Sequence, residues 1–377
     1  MAGSACAVFL SLLDAVTAFR QAHLAIVYAL PLGGFALGLI YEKFGKSIAR
    51  GSDLVLGTRR LGGRAIPLLM APMVLFGTLT THLFGGSAGR EGTGLQIGAS
   101  MADTVFHALR ITPSMRQHVL AAGVAAGFGS VFGTPLAGAI FAIEFVRGGL
   151  REWRVLPATL LAATIGDQVT LGLGAHHSVY PKVAALAITL PLVGKWLLVG
   201  TAIGVTAFVF IEIVETVKRF GALTIKSLPF RIAAGGGLLV IAWRWVGTSD
   251  YLGIGVEGIM RAFSVPQPPS TFALKLLFTA ITLGAGFIGG EVTPLFFIGA
   301  TLGSALAHPL ALPIELGAGV GLAAMFGCAS KAPLALSVMA VELMGIHILP
   351  HVLFVTAVAT LVTARRSIYD APLLRAS

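Results

Sequence analysis

The sequence predicts an all-helical integral membrane protein, and its charge content, its apolar segments and an internal repeat support this prediction. Only 11% of the 377 residues are charged, whereas a soluble globular chain carries about 25%. The mean hydropathy is +0.90, and a water-soluble domain of this size could not cover its surface with so few charges. The composition therefore excludes a cytosolic enzyme, a secreted disulfide scaffold and a disordered protein.

Apolar segments recur along the whole chain, and several are long enough to cross a bilayer, which takes about 20 residues as a helix. They lie at 24–41, 66–84, 118–146, 155–175, 183–217, 232–247, 272–300, 316–344 and 346–364. Glycine and proline interrupt some of them, and lipid tolerates a broken helix only where it is buried in protein or lines a cavity. We therefore expect a multi-pass membrane protein with many tilted or partial helices.

The net charge of +10 comes largely from four short basic clusters between apolar segments. These contain Lys43, Lys46, Arg50, Arg59, Arg60 and Arg64; Arg147, Arg151 and Arg154; Lys218, Arg219, Lys226 and Arg231; and Arg365 and Arg366. Short basic loops are typical of the cytoplasmic side of membrane proteins, so we place all four there. Because no basic groove with interleaved aromatic residues appears, we expect membrane lipid and no nucleic acid as a partner.

The chain contains an internal repeat. Residues 123–145 align with 321–343 at an offset of 198, and residues 89–100 align with 290–301 at an offset of 201. The matched positions in the longer block are Gly123, Phe128, Gly129, Pro135 and Glu144 with Gly321, Phe326, Gly327, Pro333 and Glu342. We expect one membrane transport domain over 1–377 with two related halves, roughly 20–180 and 185–370, because paired halves with broken segments indicate a transporter site.

Three segments have the composition of helix starts that bind anions. They are Gly-Ser-Asp at 51–53, Gly-Gly-Ser-Ala-Gly-Arg-Glu-Gly-Thr at 85–93, and its repeat partner Gly-Gly-Glu-Val-Thr-Pro at 289–294. Each would place unbonded backbone N–H groups at the positive end of a helix. Two such ends would hold an anion without a full positive charge, which suits a conductor because the anion must also leave.

The second of these segments continues as GGSAGREGTGLQIGAS and resembles the signature of the chloride channel and transporter (ClC) family. The resemblance continues through GVAAGFGSVFGTPLAGAIFAIEF and FALKLLFTAITLGAGFIGGEVTP, ends at residues 364–369, and covers nearly the whole chain. It implies a ClC-type fold of two inverted repeats, a homodimer with one pore per subunit, and a place in the bacterial plasma membrane. Only eight residues follow Tyr369, so we expect no cytoplasmic regulatory domain.

Two departures from the family pattern resemble its fluoride-exporting branch, which exchanges fluoride for protons. Thr93 stands where most of the family has proline, and Val292 stands where it usually has phenylalanine. Ser52 keeps the family's usual serine, which the fluoride branch often replaces, for example by methionine. The resemblance therefore implies a fluoride/proton antiporter. A chloride/proton exchanger or passive chloride channel of the same fold is the alternative, and Ser52 favours it.

The resemblance implies that Glu91 is the gating and proton-coupling glutamate. Charged, it occupies the anion path; protonated, it swings away. The alternative is a carboxylate that only stabilises a helix start, but intramembrane carboxylates are costly and usually functional. The implied anion-binding residues are Ser52, Arg90, Gly92, Thr93, Val292, Thr293, Phe296, Phe297 and Tyr369.

Several of these anion-binding candidates have a second interpretation. Val292 and Thr293 should act through their backbone amides, whereas Arg90 could instead bond carbonyl groups or another charge. Phe296 and Phe297 fit simple packing, although a ring edge carries partial positive charge and could face the pore. Tyr369 is either an interfacial aromatic anchor or a hydroxyl donor to the anion.

The sequence leaves the roles of the other carboxylates near these motifs open. The repeat-related pair Glu144 and Glu342 could mark a second proton site or share a structural role. Phe145 stands where proton-coupled chloride exchangers carry an inner glutamate, so their proton route is unsupported here. Glu291 lies beside the expected anion site, and we expect it to point away, or to be paired or protonated.

Two other classes of function are weaker alternatives. An intramembrane enzyme would need a nucleophile–base pair or a metal cluster, and neither is found. The two cysteines, Cys6 and Cys328, lie far apart, and the nine histidines lack metal-ligand spacing. We therefore expect no enzymatic activity, no metal and no cofactor. A non-transporting membrane scaffold would not explain Glu91 and the broken helices.

Overall fold

A computed structural model describes residues 1–48, 51–57, 65–147 and 150–369 of the chain. Over these residues the fold contains sixteen α-helices and no β-strand, apart from one isolated antiparallel bridge between Gly89 and Gly290. The predicted all-α class is confirmed. Four members of the first basic cluster, Arg50, Arg59, Arg60 and Arg64, lie outside the described residues.

The helices differ widely in length, from 6 residues in α3 to 35 in α9. In chain order, α1–α16 are Ala2–Ala22, Leu30–Phe44, Ser52–Gly57, Met70–Leu83, Glu91–Ala108, Arg116–Phe132, Pro135–Ala142, Leu156–Gly172, Leu190–Thr224, Leu228–Val246, Val256–Ser264, Pro269–Ala285, Val292–Ala307, Ile314–Ser330, Pro333–Met344 and Leu349–Thr363. Several are too short to cross a bilayer, as the glycine and proline pattern predicts.

In the described part of the chain, five helical segments are long and apolar enough to span a membrane. They are Ala2–Ala22, Leu24–Phe44, Trp153–Gly172, Leu190–Thr224 and Ile346–Thr363. The multi-pass prediction is confirmed. The first span was not among the predicted apolar segments, which begin at residue 24, because charged and polar residues interrupt it.

The described chain forms two compact units that are interleaved along the sequence. The first comprises Met1–His177, Val214–Ile254 and Phe278–Glu291; the second comprises Ser178–Ile213, Gly255–Leu277 and the described residues from Val292 onward. Helices α9 and α12 each contribute to both units. The boundaries of these units differ from those of the two related halves expected from the repeat. The two halves therefore stay a prediction.

Backbone geometry repeats at the offsets of the sequence alignment. The residue that caps the C-terminus of α6 is Gly133, with φ +69° and ψ +31°, and the aligned Lys331 caps α14 with φ +60° and ψ +35°. In each case one residue of similar backbone follows, Thr134 with φ −130° and ψ 74° and Ala332 with φ −122° and ψ 60°, and then a helix that begins with proline: α7 at Pro135 and α15 at Pro333. Proline suits the first turn of a helix because its missing N–H has no intrahelical acceptor there.

Glycines bring equivalent helix pairs into close contact inside each unit. In the first unit a Cβ added to Gly98 of α5 would clash with the carbonyl oxygen of Gly123 in α6. In the second, a Cβ on Gly299 of α13 would clash with the carbonyl oxygen of Gly321 in α14. Close backbone approach of this kind is how membrane helices gain packing energy where lipid supplies no hydrophobic drive.

Candidate anion and proton site

Glu91 is the first residue of α5, and its side chain is only 2% exposed. Its Oε2 accepts a hydrogen bond from the backbone N–H of Arg90 at 3.1 Å, and the Arg90 Nε lies 3.6 Å from Oε1. The first backbone bond of the helix runs from the N–H of Gly94 to the carbonyl of Arg90 at 3.3 Å. The carboxylate therefore lies at the positive end of α5, ahead of amides that have no acceptor within the helix.

The loop before Glu91 is the glycine-rich loop, residues 84–90, and it pairs with the segment that aligns with it in the repeat. Gly89 and Gly290 exchange two backbone hydrogen bonds, of 2.6 and 2.9 Å. A Cβ on Gly290 would lie 2.9 Å from the backbone nitrogen of Gly92. Glycine is thus required at Gly290, and the first unit brings the two aligned glycine segments together.

Two more predicted residues make side-chain hydrogen bonds at the first two turns of α5, Thr93 from within the helix and Ser52 from α3. The Thr93 hydroxyl lies 2.7 Å from the Thr78 hydroxyl of α4, and both side chains are buried. Ser52, the first residue of α3, accepts a hydrogen bond at 3.2 Å from the side-chain amide of Gln96 in α5. Within the first unit, Arg90, Gly92 and Thr93 therefore lie within two residues of Glu91, whereas Ser52 contacts α5 at Gln96, five residues after Glu91.

The other predicted site residues belong to the second unit. Val292 and Thr293 form the first turn of α13 and are 2% and 3% exposed. Phe296 packs edge-to-face on Phe326 of α14, with ring centroids 5.8 Å apart. Tyr369 follows Ile368, whose backbone N–H binds the carbonyl of Ala329 at 3.0 Å and so fixes the segment against α14.

Phe297 is enclosed by its own unit, which fits the packing interpretation. A Cβ on Gly258 of α11 would clash with the Phe297 ring. On another side the Lys275 ammonium lies 5.3 Å from the ring centroid, and Lys275 is itself fully buried. A cation over an aromatic face in a buried setting is a favourable contact.

The repeat-related carboxylates Glu144 and Glu342 have different backbones. Glu144 lies in a single π-helical turn, Ile143–Arg147, whereas Glu342 lies in the regular helix α15. Phe145, in the same π-helical turn, is buried and stacks on Phe141 of α7 with centroids 5.4 Å apart. A π-turn realigns side chains and is frequent at functional sites, but here it adds Phe145 to an aromatic stack.

Sequence reasoning missed His82, near the end of α4. The side chain is fully buried, with ring nitrogen Nδ1 2.8 Å from the carbonyl of Thr78 and Nε2 3.0 Å from the carbonyl of Ala88. The carbonyl of His82 accepts a hydrogen bond of 2.7 Å from the buried Arg20 of α1. The available signal was a histidine in an apolar segment, four residues after a threonine, immediately before the glycine-rich loop.

The fold and this site define a multi-pass membrane transport protein with a buried carboxylate at a broken helix. The sequence model of the family described as voltage gated chloride channel matches residues 33–364. The chain belongs to this family, and the family prediction is confirmed. It is a ClC-type anion transport protein.

Similar proteins agree with this assignment. A chloride/fluoride channel protein of Pseudomonas syringae pv. tomato is 40% identical, over 98% of this chain and 83% of the relative. The crystal structure of a CLC-type fluoride/proton antiporter is 33% identical with a TM-score of 0.93, over 98% of this chain and 94% of that one. A slow cyanobacterial Cl⁻/H⁺ antiporter, 18% identical with a TM-score of 0.85 over 99% and 94% of the two chains, shows the ClC-type fold alone.

Proposed function

We propose that this protein is a fluoride/proton antiporter that exports fluoride across the bacterial plasma membrane, with Glu91 as its gate. The observation that carries the proposal is the position of Glu91, a buried carboxylate that opens α5. The fluoride assignment is supported by Thr93 and Val292, and by the names of the chloride/fluoride and fluoride/proton proteins that the chain resembles.

The proposed exchange follows from charge. A carboxylate at the positive end of a helix is held there as a surrogate anion. A mobile anion that arrives at the same place raises the cost of this negative charge, which favours protonation of Glu91. The protonated side chain loses its attraction to the helix end, moves aside and carries its proton along the path.

Fluoride is small and tightly hydrated, so its site must supply several donors in place of water. We propose that the Ser52 hydroxyl and the N–H groups of Gly92 and Thr93 are among them. When Thr78 donates to Thr93, the Thr93 hydroxyl hydrogen is left for the anion. The backbone amides of Val292 and Thr293 are further proposed donors.

The proposal keeps two aromatic contacts to the anion that the family resemblance implies: the Tyr369 hydroxyl and a ring edge of Phe296. It assigns packing to Phe297 and ion pairing with the gate to Arg90. Assembly as a homodimer with one pore per subunit is part of the same proposal.

A chloride/proton exchanger or passive chloride channel is the second candidate function, and one observation favours it. Ser52 accepts a hydrogen bond from Gln96, which leaves its own hydroxyl hydrogen for an anion. If this second function is correct, replacement of Ser52 by methionine removes a chloride donor and should lower chloride transport more than fluoride transport.

Reconstitution into liposomes tests the choice between the two anions. Vesicles loaded with fluoride or chloride are diluted into anion-free buffer, and efflux is followed with ion-selective electrodes while external pH is recorded. We expect fluoride efflux that is much faster than chloride efflux and is accompanied by proton uptake. Chloride efflux that equals or exceeds fluoride efflux would reject the fluoride assignment and leave the fold intact.

A further inference from the structure

His82 is enclosed by backbone carbonyl groups on both sides of its ring. Nδ1 lies 2.8 Å from the carbonyl oxygen of Thr78, and Nε2 lies 3.0 Å from that of Ala88. A carbonyl oxygen can only accept a hydrogen bond, and a neutral imidazole has a single N–H to donate. Both contacts are hydrogen bonds only when the ring carries two protons, as imidazolium. In either neutral tautomer, a nitrogen lone pair would face a carbonyl oxygen.

Of the charges around His82, some stabilise the imidazolium form and others oppose it. His82 lies in the last turn of α4, where the negative end of the helix dipole stabilises a cation. From α1, the Arg20 guanidinium binds the His82 carbonyl and repels a second positive charge. Arg90 and Glu91, which follow Ala88, carry one charge of each sign. From α2, Tyr41 binds α4 through the carbonyl of Met73, near the opposite end of the helix.

Two residues near the C-terminal end of α4 contact the chain on either side of Glu91. His82 reaches Ala88, three residues before Glu91, whereas Thr78 bonds the hydroxyl of Thr93, two residues after it. These two contacts are linked, because the carbonyl oxygen of Thr78 is also the partner of His82 Nδ1. The ring of His82 therefore connects a proton-dependent pair of hydrogen bonds to the start of α5.

We propose that His82 is a second proton-binding site of this protein, and that its imidazolium form holds the glycine-rich loop where the structure places it. Loss of either ring proton leaves a lone pair against a carbonyl oxygen, so the contact to Ala88 or to Thr78 is broken and the loop is free to shift. The consequence for gating rests on the proposed role of Glu91. The protonation of His82 is independent of that role. The site gives the chain a buried titratable group although Phe145 replaces the inner glutamate.

The protonation state can be measured directly on the full-length protein in lipid bilayers. Histidine is labelled with ¹⁵N, and the ring signals of His82 are assigned by solid-state NMR from their loss in His82→Gln. His351 is the matched control: it is buried too, but its Nδ1 accepts a hydrogen bond of 3.1 Å from the Trp196 indole N–H and so is not protonated. We expect two protonated nitrogens on His82 at neutral pH and one on His351. A neutral His82 in the folded protein would overturn the proposal.

The pH dependence of transport tests whether the protonation of His82 affects anion exchange. Proton-coupled anion exchange is recorded across a pH series for the wild type, His82→Gln and His351→Gln. We expect wild type and His351→Gln to share one pH profile, and His82→Gln to lose a pH-dependent part of it. A His82→Gln profile that is lowered by the same factor at every pH would contradict a proton-binding role. If Glu91 is not the gate but His82 is doubly protonated, the proposed function fails and the proton site stands.

Discussion

At the scale of single residues, the two aligned helix starts carry different chemistry. At the offset of 201, Arg90 aligns with Glu291, Glu91 with Val292, and Thr93 with Pro294. The first start therefore has a carboxylate on its helix end with a guanidinium before it, whereas the second has an apolar residue there with the carboxylate before it. Only the first arrangement places an ionisable group where a bound anion would compete with it. This difference between the two aligned segments is why we propose Glu91 as the gate.

The Thr78–Thr93 hydrogen bond is predicted to stabilise the start of α5. Both hydroxyls are buried and lie 2.7 Å apart, and a buried hydroxyl that loses its partner costs about 1–3 kcal/mol. Thr78→Val and Thr93→Val should each lower the free energy of unfolding by about this amount. The double variant should cost less than the sum of the two. Unfolding in detergent, followed by circular dichroism, measures the cycle, and strictly additive losses would show that the hydroxyls do not interact.

At the scale of helices, close packing depends on glycine at aligned positions of the internal repeat. Gly98 and Gly299 each face a carbonyl oxygen of the neighbouring helix at a distance that leaves no room for a methyl group. Gly194 in α9, by contrast, has nothing within 4 Å of an added Cβ. The three positions therefore separate the effect of packing from that of helix propensity.

Gly98→Ala and Gly299→Ala should each destabilise the protein by about 1–3 kcal/mol through overpacking. Gly194→Ala should be neutral, or should stabilise by up to about 1 kcal/mol, because alanine is the better helix former. Thermal unfolding in one detergent, followed by intrinsic fluorescence, compares the three variants. Equal transition temperatures for Gly98→Ala and Gly194→Ala would contradict the close-packing account.

The sequence predicted local structure well where a residue type, such as glycine or proline, strongly favours one position in a helix. Glycine before an apolar run predicted the starts of α3, α5 and α13, and the prolines of the repeat lie in the first turns of α7 and α15. The π-turn at Ile143–Arg147 could not be predicted, because no residue type specifies an added residue per turn. His82 was missed for a similar reason: its two acceptors are carbonyl groups, which every residue carries.

At the scale of the whole molecule, only 11% of the residues are charged, and the Glu91 carboxylate is buried within this apolar chain. In lipid a carboxylate needs a compensating partner, which Arg90 and the end of α5 provide. On the proposed function, an anion and a proton compete for this small region, so that entry of the anion favours protonation of Glu91. The proposed exchange would then need only a movement of the Glu91 side chain and no large displacement of helices.

The most direct test of this account is uphill transport by Glu91→Gln. Wild type, Glu91→Gln and a control, Glu215→Gln, whose carboxylate pairs with Lys218 on the surface of α9 at 3.6 Å, are reconstituted into liposomes. A pH gradient is imposed, and fluoride and protons are recorded together with electrodes. We predict that wild type and Glu215→Gln accumulate fluoride against its gradient, whereas Glu91→Gln moves no protons and either leaks fluoride or stops transport. Uphill fluoride transport by Glu91→Gln would contradict the account and make Glu291 the next carboxylate to replace.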